Sequence, residues 1–158
     1  MNRGDKVGSP RELELGVEIG RAAPGDLDAV LGLLTGAALP REGVAEHFVH
    51  FLVARAGDRI VGSIGMEPYG PSALLRSLVV AQPYRRHGLG GALTDRVLAE
   101  AIAGGVTRVF LLTETAADFF TARGFRRIGR EEADAAVRDS VEFRTACCQT
   151  AVCMRRDL

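Results

Sequence analysis

A stretch near the middle of the chain, SLVVAQPYRRHGLGGAL (residues 77–93), joins an apolar run to a proline, two adjacent arginines and three glycines. Glycine allows positive φ and close approach of a ligand to the backbone, but each glycine inside a helix costs about 1 kcal/mol relative to alanine. The glycines lie between a strand-like run, 73–80, and a helical spacing over 89–103. Helix N-termini offer unpaired N–H groups and a positive dipole end to anions. The stretch therefore predicts an anion site, and Arg85 and Arg86 favour an anion of two or three phosphates.

Two widespread phosphate-binding loops do not fit this stretch. The P-loop ends in Gly-Lys-Ser/Thr, whereas Ala92 and Leu93 follow Gly91 here. The dinucleotide fingerprint requires G-x-G-x-x-G, with an acidic residue about twenty positions further on. Leu93 occupies the third glycine position, and Arg108 lies about twenty residues after Gly88. The loop is therefore of a different kind.

The remainder of the chain alternates between strand-like and helix-like segments. Strands are predicted at 17–22, at 73–80, 107–113, 125–130 and 150–157, and as a hairpin over 51–67 that turns at Gly57 and Asp58. Helices are predicted from Pro24 onward and at 41–50, 89–103, 115–125 and 131–140. Hairpins followed by βα units predict an α/β (α+β) fold, a mixed central sheet with helices on both faces. We expect a flexible N-terminal segment at 1–16 and a single domain at 17–158.

Charge and composition exclude several classes of function. Twenty basic and twenty acidic side chains give no formal net charge, which argues against general nucleic-acid binding. No apolar run approaches the roughly eighteen residues of a membrane span, and the N-terminus lacks the apolar core of a signal peptide. We therefore expect a soluble cytoplasmic protein with no membrane partner. The three clustered cysteines are expected to be thiols.

The glycine loop and a later segment together resemble one enzyme family. Arg85, Gly88 and Gly90 fill the pattern R/Q-x-x-G-x-G/A, and DFFTARGF (118–125) is similar to A-x-x-FY-x-x-x-GF. Both patterns resemble those of the Gcn5-related N-acetyltransferases (GNAT), and the resemblance extends from about residue 17 to the end of the chain. It implies a GNAT fold in which the central parallel strands, 73–80 and 107–113, splay apart. It also implies acetyl-CoA as cosubstrate and no metal.

The same resemblance implies a set of coenzyme contacts. Pantetheine would lie between the splayed strands, and the amide of Val79 would polarise the thioester carbonyl, which is an oxyanion-hole role. His87 is expected to be a plain loop residue that contributes its backbone N–H. The implied cofactor-binding residues are Leu78, Val79, Val80, Arg85, Arg86, His87, Gly88, Leu89, Gly90, Gly91 and Phe120.

Phe119 and Phe120 depart from the family pattern, which often carries a tyrosine that protonates the departing CoA thiolate. Phenylalanine cannot donate a proton, and general acid catalysis is typically worth about 10²–10⁴-fold in rate. Either water or another side chain substitutes, or turnover is modest. A free thiol has a pKa of about 8.5, so an unassisted thiolate is a tolerable leaving group.

The acceptor side of the site is predicted from polar residues near the ends of apolar strands. Glu67 and Glu114 are candidate bases for the acceptor amine, and a solvated strand-end carboxylate is the alternative for each. Arg76 and Ser77 interrupt an apolar strand, and a buried arginine must find an anion or reach solvent. Arg76 is expected to bind an acidic group on the acceptor or to form a structural salt bridge.

The C-terminal stretch VEFRTACCQTAVCM (141–154) is similar to the N-acetyltransferases of arsenic-resistance operons. This resemblance implies acetylation of a primary amine on a small acidic molecule, such as arsinothricin or phosphinothricin, with Arg76, Ser77 and Arg144 as acceptor contacts. Direct attack in a ternary complex is expected, and a homodimer is possible through the terminal strand. The alternatives are a protein or peptide N-acetyltransferase and a non-catalytic acyl-CoA or arsenic sensor. The cysteines, expected as buried thiols or else as an arsenic site, are Cys147, Cys148 and Cys153.

Overall fold

A computed structural model of the chain describes residues 16–146 and 150–158. Its strands are β1 Val17–Arg21, β2 Phe51–Ala56, β3 Arg59–Tyr69, β4 Ser72–Val80, β5 Arg108–Thr113, β6 Arg126–Ile128 and β7 Val152–Asp157. Its α-helices are α1 Leu27–Gly36, α2 Leu89–Ala103, α3 Ala117–Thr121 and α4 Ala135–Arg138. Short 3-10 helices cover Pro24–Asp26, Ala45–His50, Gln82–Tyr84 and Arg130–Glu132, and a π-helical turn covers Glu142–Ala146.

The strands form one seven-stranded sheet in the order β1-β2-β3-β4-β5-β7-β6. β4 and β5 run parallel, and the other described neighbours pair antiparallel. The βα unit from β4 through α2 to β5 makes the parallel pair, because a parallel connection needs a long crossover. The predicted mixed sheet is confirmed.

Helices cover both faces of the sheet, as the sequence predicts. On one face α2 buries Leu89, Leu93 and Val97 against the strands. On the other face α1 buries Val30 and Leu34 in a separate apolar cluster. Two buried leucines contribute about 2–3 kcal/mol each, so α2 is held mainly by packing. Its N-terminus is thereby fixed at the end of β4.

The predicted helix at 131–140 is wrong, because the segment is divided at Ala133. Ala133 is extended and only 4% exposed, and it packs in a third apolar cluster. The extended link brings the Asp134 carboxylate to the Arg108 guanidinium, with 2.6 Å between Oδ2 and Nε. The Ser72 hydroxyl also donates to Asp134, and these contacts lower the pKa of that carboxyl. Burial and this ion pair therefore outweigh the helical propensity of the segment.

The predicted terminal segments compare differently with the structure. Apart from Gly16, the N-terminal segment predicted at 1–16 lies outside the described residues. β7 is hydrogen-bonded to β5 on one side and, over residues 153–155, to β6 on the other. The dimer contact expected through this strand stays a prediction. No helix within the described ranges is long and apolar enough to cross a membrane.

Candidate active site

A cleft opens in the middle of the sheet, where β4 and β5 separate. The two strands pair only at Ser72, Ala73 and Leu74, opposite residues 108–110. Beyond Leu74 they diverge, and a cavity of about 740 Å³ fills the gap. The cavity is lined by residues 36–40, 75–80 and 111–116, together with Arg85, Phe120 and Glu142. The predicted splaying of the parallel strands is therefore present.

A β-bulge at Ser77 bends β4 along this cleft. Ser63 pairs with Val79, whereas Gly65 pairs with Arg76, so β4 carries one residue more than β3 between these pairs. Ser77 has φ of +62°, and the buried hydroxyl of Ser63 donates to its carbonyl at 2.9 Å. A bulge leaves backbone groups outside the ladder and increases local twist. The bulge thus turns β4 away from β5 beside the cavity.

The direction of each amide on β4 follows from the alternation of an antiparallel ladder. The Ala81 N–H donates to the Val61 carbonyl at 2.8 Å. Two residues along, Val79 and Ser63 form the next pair that exchanges hydrogen bonds, so the Val79 N–H points to β3. The Val80 amide therefore points the other way, into the gap. The Leu78 amide is assigned the same direction because the carbonyl of its peptide, that of Ser77, accepts from Ser63 on β3. The polarising role expected of the Val79 amide therefore fits Leu78 better.

The glycine loop connects β4 to α2 and has two residues in the left-handed region. Arg86 has φ of +67° and Gly88, the N-cap of α2, has φ of +83°. Such alternation turns successive backbone N–H groups toward one side and forms an anion-binding concavity. The first turn of α2 adds the N–H groups of Leu89, Gly90 and Gly91, which have no partner within a helix. The predicted anion site thus has the required backbone geometry.

The glycine loop is anchored at one end and accessible to a ligand at the other. Arg85 donates from Nε to the Val80 carbonyl at 2.7 Å, which ties the loop to the end of β4. At Gly90 an added Cβ would meet nothing closer than 3.9 Å, so the surface above it is free. Its nearest neighbours are the Phe119 ring and Val80. A ligand can therefore reach the backbone at this position.

Arg76 lies in a buried ionic cluster at the inner wall of the cleft. Its Nη1 lies 2.7 Å from Glu67 Oε2, and both side chains are 1% exposed. The Tyr69 hydroxyl donates to the other oxygen of Glu67, and His47 Nε2 lies 3.5 Å from the same oxygen. Arg76 Nη2 also donates to the Pro40 carbonyl at 3.3 Å. The structural salt bridge considered for Arg76 is present, although Arg76 also lines the cavity.

These contacts do not support the proton-accepting role expected of Glu67. Both of its carboxylate oxygens have partners, and the residue does not line the cavity. The other expected base, Glu114, follows β5 and lines the cavity as an exposed side chain. Of the remaining acceptor residues, Ser77 lines the cavity, whereas Arg144 is exposed and does not.

Glu142 is a site residue that the sequence analysis missed. It begins the π-helical turn, is 4% exposed and lines the cavity, with Oε2 3.6 Å from Arg76 Nε. Oε2 has no hydrogen-bond partner within the described chain. Burial, followed by the negative charge of Glu67, raises the pKa of Glu142 to about 7, against the opposing effect of Arg76. A polar residue between Val141 and Phe143 was the available signal, but nothing local placed it in the cleft.

Phe120 and the cysteines are the remaining residues for which the sequence predicts a place or a role. Phe120 is 5% exposed, lines the cavity and packs edge-on against Phe119 and Phe125. Cys153 is buried in β7, which raises the pKa of its thiol to about 11. Cys147 and Cys148 lie outside the described residues. Among the described side chains, no three of His, Cys, Asp or Glu lie close enough together to hold a metal ion.

Comparisons with known proteins agree with this geometry. The acetyltransferase (GNAT) domain family matches residues 47–127. An uncharacterised N-acetyltransferase of Chlorobaculum tepidum is 32% identical over 91 residues, which are 57% of this chain and 58% of that protein. The chain thus spans less than two thirds of this curated relative.

Solved structures with the same fold include two that contain coenzyme A. Rv2747 from Mycobacterium tuberculosis, in complex with CoA and NLQ, is 25% identical with a TM-score of 0.75, covering 89% of this chain and 99% of that one. N-acetylglutamate synthase from Neisseria gonorrhoeae, complexed with CoA and N-acetyl-glutamate, is 20% identical with a TM-score of 0.77. The match covers 90% of this chain and 35% of that one. Because the family match covers half of the sequence, this chain belongs to the GNAT acetyltransferase family.

Proposed function

We propose that the protein transfers the acetyl group of acetyl-CoA to a primary amine by direct attack in a ternary complex. The observation that carries the proposal is the glycine loop at the mouth of a cleft between splayed parallel strands. Two structural neighbours are complexes with CoA, which supports the same coenzyme here. Cys153 does not line the cavity, and its pKa is raised to about 11, so it is a poor carrier for a covalent acetyl group.

The pyrophosphate of acetyl-CoA is proposed to bind the backbone N–H groups from Arg86 to Gly91. The left-handed residues of the loop and the first turn of α2 support this assignment. Exposed Arg85 and Arg86 add positive charge at the same place. The arginine contribution is screened by salt, whereas the backbone contribution is local and depends on glycine.

The thioester carbonyl is proposed to accept a hydrogen bond from the Leu78 amide. This N–H lies next to the bulge and faces the gap between the strands, where a developing oxyanion would need a donor. Removal of one such donor costs about 10²–10³-fold in rate in enzymes of known mechanism. Pantetheine would run along the same edge, beside Val80, whose carbonyl already accepts from Arg85.

The proton for the departing thiolate must come from a group other than Phe120. Ser77 Oγ accepts a hydrogen bond from Arg76 Nε at 3.1 Å, so its own hydroxyl proton is free to donate into the cleft. The neighbouring guanidinium stabilises negative charge on that oxygen. Ser77 is therefore proposed as the donor, either directly or through a water molecule.

The acceptor is proposed to be a small acidic amine. Arg76 lines the cavity wall and stays paired with Glu67 at 2.7 Å, so its proposed contribution is the attraction of its positive charge for an acceptor carboxylate or oxyanion. An amino-acid arsenical or phosphinate is the finer form of this proposal, and it rests on the similarity of residues 141–154. A non-catalytic acyl-CoA sensor is the second candidate, because Phe120 lacks the family hydroxyl.

A thiol-release assay with acetyl-CoA tests the proposal. The amine panel comprises phosphinothricin, glutamate, polyamines, aminoglycosides and a lysine peptide. We expect release that depends on a small acidic amine. Release with the peptide alone would identify a protein acetyltransferase. Tight CoA binding without release on any amine would favour the sensor and refute the proposed reaction.

A further inference from the structure

Two carboxylates line the described part of the cavity, and their environments differ. Glu114 is exposed at the end of β5, whereas Glu142 is 4% exposed at the inner wall. Glu142 Oε2 is buried and has no hydrogen-bond partner in the described chain. A buried carboxylate oxygen without a hydrogen bond costs free energy unless it acquires a donor. The arrangement therefore leaves an acceptor for one proton at the wall of the acetyl-transfer cleft.

The other titratable groups near this oxygen are already engaged. Glu67 is paired through both oxygens, to Arg76 and to Tyr69. His47 lies 3.5 Å from Glu67 and does not line the cavity. Arg76 donates toward Glu67, Pro40 and Ser77, and it approaches Glu142 only at 3.6 Å. Glu142 is thus the carboxylate of this cluster that keeps an oxygen without a hydrogen-bond partner among the described residues.

We propose that Glu142 is the catalytic base that accepts the proton of the acceptor ammonium group. This inference rests on the proposed acetyl transfer. The carboxylate takes one proton from R–NH₃⁺, and the free amine attacks the thioester carbonyl. The new C–N bond forms as the C–S bond breaks, and the nitrogen gives up its second proton, which reaches the thiolate by way of Ser77 to give CoA thiol. The products are the N-acetyl amine, CoA thiol and one proton, which Glu142 later releases to solvent.

The surrounding charges suit this role. The groups that face Glu142 are Arg76, which favours its ionised form, and Glu67, which opposes it. On the adjacent α4, Arg138 is exposed and donates to the Ala133 carbonyl. With its pKa raised to about 7, Glu142 is substantially ionised at neutral pH, and its basicity is well above that of an ordinary carboxylate. A base poised near the working pH is the most effective one.

Glu142→Gln is the direct test, because it keeps the shape of the side chain and removes the proton acceptor. We expect kcat/KM for the best amine of the panel to fall about 10²–10⁴-fold, with CoA affinity and folding retained. Glu142→Asp should recover part of the activity. Glu46→Gln, which changes an exposed carboxylate that does not line the cavity, is the matched control and should keep the wild-type rate.

Hydroxylamine separates a catalytic role from a structural one. It is unprotonated at neutral pH and needs no base, so Glu142→Gln should retain the wild-type rate with hydroxylamine while losing it with the amine. Unchanged rates with both nucleophiles, or equal losses with both, would overturn the assignment but leave acetyl transfer intact. If the wild-type protein acetylated no amine, both the proposed function and this inference would be refuted.

Discussion

Replacing Glu142 with glutamine should increase the stability of the folded protein, and the increase should grow with pH. The pKa of this carboxyl rises from an ordinary 4.5 to about 7 on folding, mainly because of burial. Between these two pH values the folded state binds more protons than the unfolded state, so stability falls as pH rises. Above pH 7 both states are ionised, and the full penalty of the buried charge remains. Glutamine, which is never ionised, escapes this penalty.

The size of the effect follows from the same values. A tenfold change in proton affinity is worth about 1.4 kcal/mol, so the wild-type protein loses about 3 kcal/mol at high pH. The stability difference between variant and wild type should grow by about 2 kcal/mol between pH 5.5 and pH 8.5. Urea unfolding of both proteins at a series of pH values measures this difference directly. Other titrating groups are common to both proteins and cancel.

Two results would contradict this reasoning. A stability difference that stays constant with pH would mean that Glu142 titrates alike in folded and unfolded chains. A variant less stable than the wild type at pH 8.5 would mean that the attraction between Arg76 and ionised Glu142 stabilises the fold by more than the burial of the Glu142 charge destabilises it. Glu46→Gln should show no pH-dependent difference, because Glu46 is exposed.

Three further substitutions test other parts of the site. Gly90→Glu should weaken CoA binding at least about 100-fold, or roughly 2.7 kcal/mol, while Gly90→Ala changes it only slightly; calorimetry that found equal affinities would contradict the loop assignment. Ser63→Ala leaves the Ser77 carbonyl without its 2.9 Å donor, and should cost about 1–3 kcal/mol in urea unfolding and slow acetyl transfer. Arg76→Gln leaves Glu67 buried without its cation and should destabilise the fold by about 3–5 kcal/mol; a loss under 1 kcal/mol would show that the pair is not needed for stability.

The parts of the fold that follow local rules were accessible from the sequence. The helix at 89–103 was predicted with its observed ends, because apolar periodicity and glycines mark both of them. The glycine loop could also be predicted from local residues, because glycine readily adopts the positive φ that Gly88 has in the structure. The two-faced sheet also followed, because hairpins and a βα crossover permit few arrangements.

The parts that depend on tertiary pairing were not accessible. The sequence predicts Val79 as the polarising donor, whereas the geometry favours its neighbour Leu78. The bulge at Ser77 and the register of the ladder decide which amides face the cleft, and neither can be predicted from local sequence. Glu142 was missed because only folding brings the C-terminal turn to Arg76. The sequence predicts one helix at 131–140 because the ion pair between Arg108 and Asp134, which helps to divide the segment, joins residues far apart in the sequence.

The short junction between β4 and β5 has a mechanical consequence. Three registered pairs join the strands there, compared with seven between β3 and β4 and six between β5 and β7. The sheet therefore consists of two parts, β1–β4 and β5–β7, that are joined by few hydrogen bonds. We expect native-state amide hydrogen exchange to resolve the two parts as separate cooperative units, and the junction between β4 and β5 to open first. A coenzyme that contacted both parts would couple them, so that they would open as one unit.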